Sequence, residues 1–175
     1  ASFGDSLEME GPGLGTVRNN DAQNPRPDED WRLVFSAEGE AASPADIAIG
    51  LDNVSGDFSQ GDADVSVVYD VTNEQFEVNT NVETQTVPFP KAEVLGGQDI
   101  VIEYSVGGSN IEVTIQNTVS NVDAVVGAQV DSGQFSAPDD IGFRSEGIFG
   151  VIFQDVTEQN FASQVVSTVD DSRIT

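Results

Sequence analysis

Cysteine and histidine are both absent from the 175 residues. Without cysteine there is no disulfide, no thiolate nucleophile and no sulfur ligand for a metal. Without histidine there is no Ser–His–Asp or Cys–His relay and no ordinary zinc centre. Cations are scarce as well. Lys91 is the one lysine, and Arg18, Arg26, Arg32, Arg144 and Arg173 are the five arginines. They form no cluster, so a direct nucleic-acid partner is not expected. The longest apolar run, residues 147–153, is far short of the ~18 residues of a membrane-spanning helix. No secretory leader is recognisable, and the Ala1 start is expected from either a trimmed initiator methionine or a cleaved leader. Neither a Gly-x-Ser-x-Gly elbow nor a phosphate-binding Gly-x-x-x-x-Gly-Lys loop occurs.

What the chain has in excess is acid: 31 Asp and Glu against 6 basic residues, a formal net charge of -25. These carboxylates are scattered along the whole chain rather than gathered in a tail. At low ionic strength such a surface repels itself and opposes compaction. Salt at ~1 M shortens the Debye length to ~3 Å and removes most of that repulsion. An evenly acidic, lysine-poor surface is therefore the pattern of a protein built for molar salt, and the expected source is an extreme halophile. Disorder is not expected. Hydrophobic residues make up 38% of the chain, valine leads among them, and they fall in ordered patterns.

Those patterns have a period of two. Trp31, Leu33 and Phe35 alternate with Arg32, Val34 and Ser36; Ile47, Ile49 and Leu51 with Ala48 and Gly50; Val65, Val67, Tyr69 and Val71 with Ser66, Val68 and Asp70. Phe76, Val78 and Val82 continue the pattern, as do Ile100, Ile102, Tyr104 and Val106, then Ile111, Val113 and Ile115. Alternation of β-branched and polar residues predicts half-buried strands. Residues 122–130 predict another strand. Residues 147–155 are apolar on both faces, which predicts one central or interface strand needing cover on its second side. Residues 161–169 fit a helix face or a strand, and their β-branched content favours the strand. Gly107, Gly108, Ser109 and Asn110 predict a tight hairpin, and Asn73 to Gln75 a second one. Val87, Pro88, Phe89 and Pro90 exclude a central strand, because proline lacks the ladder N–H.

The expected fold is all-β, an antiparallel sandwich, with a single jelly roll of about eight strands as the leading form and no helix of note. Residues 1–30, broken by Gly11 to Gly15 and by Pro25 and Pro27, are expected as an N-terminal arm. Residues 31–175 form one sandwich domain, with 156–175 packed at its edge or in an interface. The Gly11, Gly13, Gly15 spacing follows no strand and opens no helix, so it is read as a turn rather than a dinucleotide site.

No catalytic, cofactor-binding or metal-binding residue is assigned. Asp46 and Glu103 neighbour apolar strand residues, but alternation puts them on the wet face, where a general acid is not expected. Asp62 with Asp64, and Asp28 with Glu29 and Asp30, cluster oxygens that suit hard cations, yet neither continues into a full loop signature, so solvated acidic loops are expected. Asn53, Val54 and Ser55 form one glycosylation triplet. Phe3, Phe58, Phe89, Phe135 and Phe143 lie outside the strand core. They are either buried beneath loops or anchors into neighbouring subunits, with Arg18, Arg26 and Arg144 as the few cationic anchors beside them.

Small size, acidity, lack of cysteine, strand spacing and a Pro/Gly-rich N-terminal segment together resemble the smaller single jelly-roll major capsid protein of haloarchaeal membrane-containing icosahedral viruses. That resemblance implies a structural virion protein that self-assembles into capsomers with copies of itself and a second structural protein, near an inner membrane, without enzymatic activity, cofactor or small-molecule substrate. Two rivals stand beside it: a tail-tube or decoration protein of a haloarchaeal tailed virus, and a secreted or cell-surface binding module with an immunoglobulin-like sandwich.

Overall fold

The computed structural model describes residues 6–9, 13–19, 30–38, 41–51, 64–134, 140–148, 151–156 and 164–170, with side chains for 30, 32–38, 46–50 and 64–134. Thirteen strands are present among them: β1 (Ser6–Met9), β2 (Gly13–Asn19), β3 (Trp31–Ala37), β4 (Ala41–Leu51), β5 (Val65–Asp70), β6 (Gln75–Thr80), β7 (Thr84–Pro88), β8 (Ile100–Gly107), β9 (Asn110–Asn117), β10 (Val122–Gln129), β11 (Asp140–Ile148), β12 (Val151–Val156) and β13 (Gln164–Asp170). A one-turn helix α1 (Lys91–Val94) sits between β7 and β8, and a 3-10 turn (Ser132–Gln134) follows β10.

Two sheets result. The first has six strands in the order β1-β12-β3-β8-β9-β10, the second seven in the order β13-β2-β11-β4-β5-β6-β7. Neighbouring strands run antiparallel throughout. The expected antiparallel sandwich is present, with more and shorter strands than the eight anticipated.

The period-two residues fill the space between the sheets. Leu33, Phe35, Ile100, Ile102, Tyr104, Ile111, Val113 and Ile115 from the first sheet are buried against Ile47, Ile49, Val65, Val67, Tyr69, Phe76 and Val78 from the second. The alternating set is buried wherever its side chains are described, except Val82, which is 44% exposed in the β6–β7 turn, and Val106, which is half-buried; the side chains of Trp31 and Leu51 lie outside the described residues. Tyr69 donates its phenol to the Phe89 carbonyl at 2.7 Å, and Phe76 bridges the two rings with centroids 4.7 and 5.2 Å away. Burial raises the Tyr69 phenol above its ordinary value, and the Glu74 and Asp70 charges push it further. Phe89 is thus an intramolecular core residue, not an anchor for a neighbour. Of the other four phenylalanines, Phe3, Phe58 and Phe135 lie outside the described residues, as does the side chain of Phe143.

The turns follow their chemistry. Gly108 takes φ +68° in the two-residue β8–β9 connection, and Glu74 takes φ 51° where β5 turns into β6. Pro88 ends β7, the outermost strand of its sheet, where a missing N–H leaves no ladder bond unmade.

Three expectations need correction. Residues 147–155 are not one strand. Ile148 ends β11 in the seven-stranded sheet and Val151 begins β12 in the six-stranded sheet. The apolar character on both faces reflects a change of sheet, not a strand with two covered sides. The reading of Gly11 to Gly15 as a turn also fails in part, because β2 starts at Gly13. Pairing on both flanks, with β11 and β13, supplies the ladder that glycine propensity alone does not favour. Residues 6–9 and 13–19, expected within an arm, are strands of the chain's own two sheets.

Candidate functional site

A shallow groove of about 520 Å³ lies on the outer face of the six-stranded sheet. Register explains how it forms. Ser105, Glu112 and Gly127 stand opposite one another on β8, β9 and β10, and Gly107, Asn110 and Gln129 form the next row. All six are exposed, whereas Tyr104, Ile111, Val126 and Ala128, pointing the other way, are buried in the core. Alternation therefore assigns the polar set to one face, with two bare glycine positions in it.

Glu83 forms a wall from the opposite sheet. It belongs to the turn between β6 and β7, and its Oε1 accepts from the Gln129 N–H at 2.9 Å. The same turn is stitched to β10 at three further points. Thr80 Oγ1 donates to the Gln129 carbonyl at 2.7 Å, Asn81 Nδ2 donates to the Asp131 carbonyl at 2.8 Å, and the Asp131 N–H returns to Asn81 Oδ1 at 3.0 Å. On the other flank, β3 starts opposite Tyr104, and just past that pair Asp30 Oδ1 accepts from the Val106 N–H at 2.8 Å. Side chains thus occupy ladder positions where strands have run out, which blunts exposed sheet edges. The result is a rigid three-strand platform.

The acidic candidates from the sequence do not converge here. Asp30 is an edge cap. Asp64 is buried at the start of β5; Asp28, Glu29, Asp62 and Asn53 lie outside the described residues. Glu103 is exposed beside Arg32, 3.9 Å away, as alternation required. Asp46 stands in register with Asp70 on one side and Glu146 on the other, on the seven-stranded sheet. Among the described residues no group of three or more His, Cys, Asp or Glu is arranged to hold a metal ion.

No family model matches the chain, and no curated protein matches it. Solved structures do. Lectin I-B4 from Griffonia simplicifolia, in its metal-free form, superposes with a TM-score of 0.51 at 10% identity, covering 89% of this chain and 72% of the lectin. The LG1-3 region of the laminin alpha2 chain gives 0.53 at 11% identity; all of this chain is covered, but only 35% of that one. Arcelin-5, a lectin-like defense protein from Phaseolus vulgaris, gives 0.51 at 14% identity, over 82% of this chain and 68% of arcelin. The fold is a lectin-like β-sandwich. At these identities the likeness is one of fold alone.

Among the described residues, one carboxyl is perturbed. Glu77 on β6 has its pKa raised, first by burial and then by the charge of Asp70. A raised folded value means the native state holds a proton that the unfolded state has released, so this group's contribution to stability falls as pH rises through that value. Glu77→Gln is expected to raise the melting temperature at pH 7 and to flatten its decline between mildly acidic and neutral pH. Thermal melts across that range at constant molar salt check this; an unchanged pH profile contradicts it.

The groove escaped the sequence reading because its rows join residues from three strands and a turn. The one local signal was Gly127, a glycine inside a strand pattern, which marks a bulge or a close approach.

Proposed function

We propose that this chain is a non-catalytic binding module of a halophile, exposed outside the cell, that uses the outer face of its six-stranded sheet as the contact surface. The observation that carries this reading is the groove: an open concavity of mixed lining, with the polar side chains of Glu83, Ser105, Asn110, Glu112 and Gln129 set around glycine and aliphatic surface, on a platform held by edge caps from both flanks. Two solved proteins of similar fold are named as a lectin and a lectin-like defense protein, which supports recognition over turnover. The composition supports the same choice, since a chain with no His and no Cys has few groups able to transfer protons near neutral pH.

A particle subunit is the second reading. Val125, exposed on β10, and Val119, exposed in the turn that leads into it, favour it, as apolar side chains open to copies of the chain or a second structural protein. Sedimentation velocity in molar salt separates the two. The binding module sediments as a monomer, is retained on polysaccharide matrices and releases no product from them. Assembly into discrete oligomers or shells without retention overturns it in favour of the particle subunit, and release of reducing ends overturns its non-catalytic character.

A further inference from the structure

We propose that the groove takes a neutral, hydroxyl-rich ligand, a segment of an uncharged oligosaccharide, and that Gly127 is the position that lets a sugar ring reach the sheet. This rests on the binding-module reading and specifies its ligand.

Gly127 is the starting point. It lies inside β10 in ordinary strand conformation, and a Cβ built there meets only the Ile111 carbonyl, at 3.7 Å, an ordinary contact. Nothing in the fold asks for glycine. Gly108, by contrast, needs it for its positive φ. Glycine inside a strand weakens the strand and forgoes side-chain packing. The bare spot instead clears the floor of the groove, and Gly107 clears a second spot one row away. Spanning three strands gives a floor roughly 10 Å wide.

The surrounding groups decide the ligand class. Glu83 and Glu112 offer acceptors, and Ser105, Asn110 and Gln129 both donate and accept. Arg32 and Lys91, the cations whose side chains are described, do not line the groove, so phosphates, sulfates and uronates find no cation among its lining residues. An apolar ligand would bury these polar groups unpaired. A cationic ligand would depend on charge, which molar salt screens, and Glu83 already spends one oxygen on the Gln129 N–H. Sugar hydroxyls supply donors and acceptors at short range, where screening matters little. Val125, two residues from Gly127 on the same face and 55% exposed, provides an apolar shelf for the C–H side of a ring.

The test is calorimetric titration of the full chain in molar salt with neutral gluco-, manno- and galacto-oligosaccharides, an oligouronate and oligolysine. Wild type and two variants, Gly127→Val and Glu112→Gln, are compared. A neutral oligosaccharide is expected to bind, and Gly127→Val to weaken it at least roughly tenfold by filling the space of the ring. Its melting temperature should stay level or rise, since valine suits a strand and a Cβ there makes only an ordinary contact. Glu112→Gln weakens binding through loss of a charged acceptor. Preference for oligouronate or oligolysine overturns the ligand class while leaving a binding module. Undiminished binding by a folded Gly127→Val overturns the site. Absence of binding by every neutral oligosaccharide overturns this inference, whereas the module reading falls only on its own sedimentation and retention result.

Discussion

Moved from molar salt into dilute buffer, the protein is expected to lose its compact β structure. The -25 net charge on one small domain sets the scale of the effect, and the register localises part of it. Asp46 on β4 stands directly opposite Asp70 on β5 and Glu146 on β11, an acidic row across three adjacent strands. Like charges directly opposite on neighbouring strands destabilise a sheet. Glu77, one strand further on, is half-buried and already feels Asp70. At ~0.1 M salt the Debye length is ~10 Å, longer than the ~5 Å between strands, so these charges repel almost unscreened; at ~1 M it is ~3 Å. The chain is expected to be folded in ~2–4 M NaCl or KCl and to loosen below ~0.5 M. Circular dichroism across a salt series reads this directly. An unchanged β signal and melting temperature in dilute buffer would sink the halophilic reading.

The second large effect belongs to the core. Ile102 sits at the centre of the sandwich, 2% exposed, beside Leu33 and Phe35 of its own sheet and facing Ile47, Ile49, Val67 and Phe76 of the other. The residual void among these side chains is about 10 Å³, too small for an ordered water. Their strands are held in ladders on both sides, so the walls collapse little when a side chain is cut back. Ile102→Ala is therefore expected to cost ~2–5 kcal/mol, the lost transfer energy plus the cavity. Val125→Ala on the outer face is the control, expected within about 0.5 kcal/mol of wild type. Urea unfolding of all three proteins at one fixed salt concentration checks the contrast. Equal midpoints for the two variants would place Ile102 outside the core.

The inner faces of the sandwich were legible because burial imposes a period of two, which β9 carries from end to end, while β5 and the first residues of β8 are buried on both faces. Pro88 marked an edge strand through its missing N–H. The short strands β1 and β2 were not legible, since four to seven residues, two of them glycines in β2, hold their conformation only through partners more than a hundred residues away. The 147–155 run misled for a related reason: periodicity does not say where a chain changes sheets. Asn117 reads as a turn residue, yet it is fully buried and organises the β9–β10 turn, donating to the Glu93 carbonyl and accepting from the Val119 and Ser120 N–H groups. The groove depends on such distant contacts too, with Glu83 reaching Gln129 across 46 residues.

The central claim is that recognition occurs on the outer face of β8, β9 and β10. Amide chemical-shift mapping in molar salt, during titration with the neutral oligosaccharide that binds best, tests it most directly. The account predicts shifts concentrated at Ser105, Asn110, Glu112, Gly127 and Gln129, fading across the core to Val67 and Val78. Shifts concentrated on the seven-stranded sheet instead, with these five amides unmoved at saturation, would contradict it.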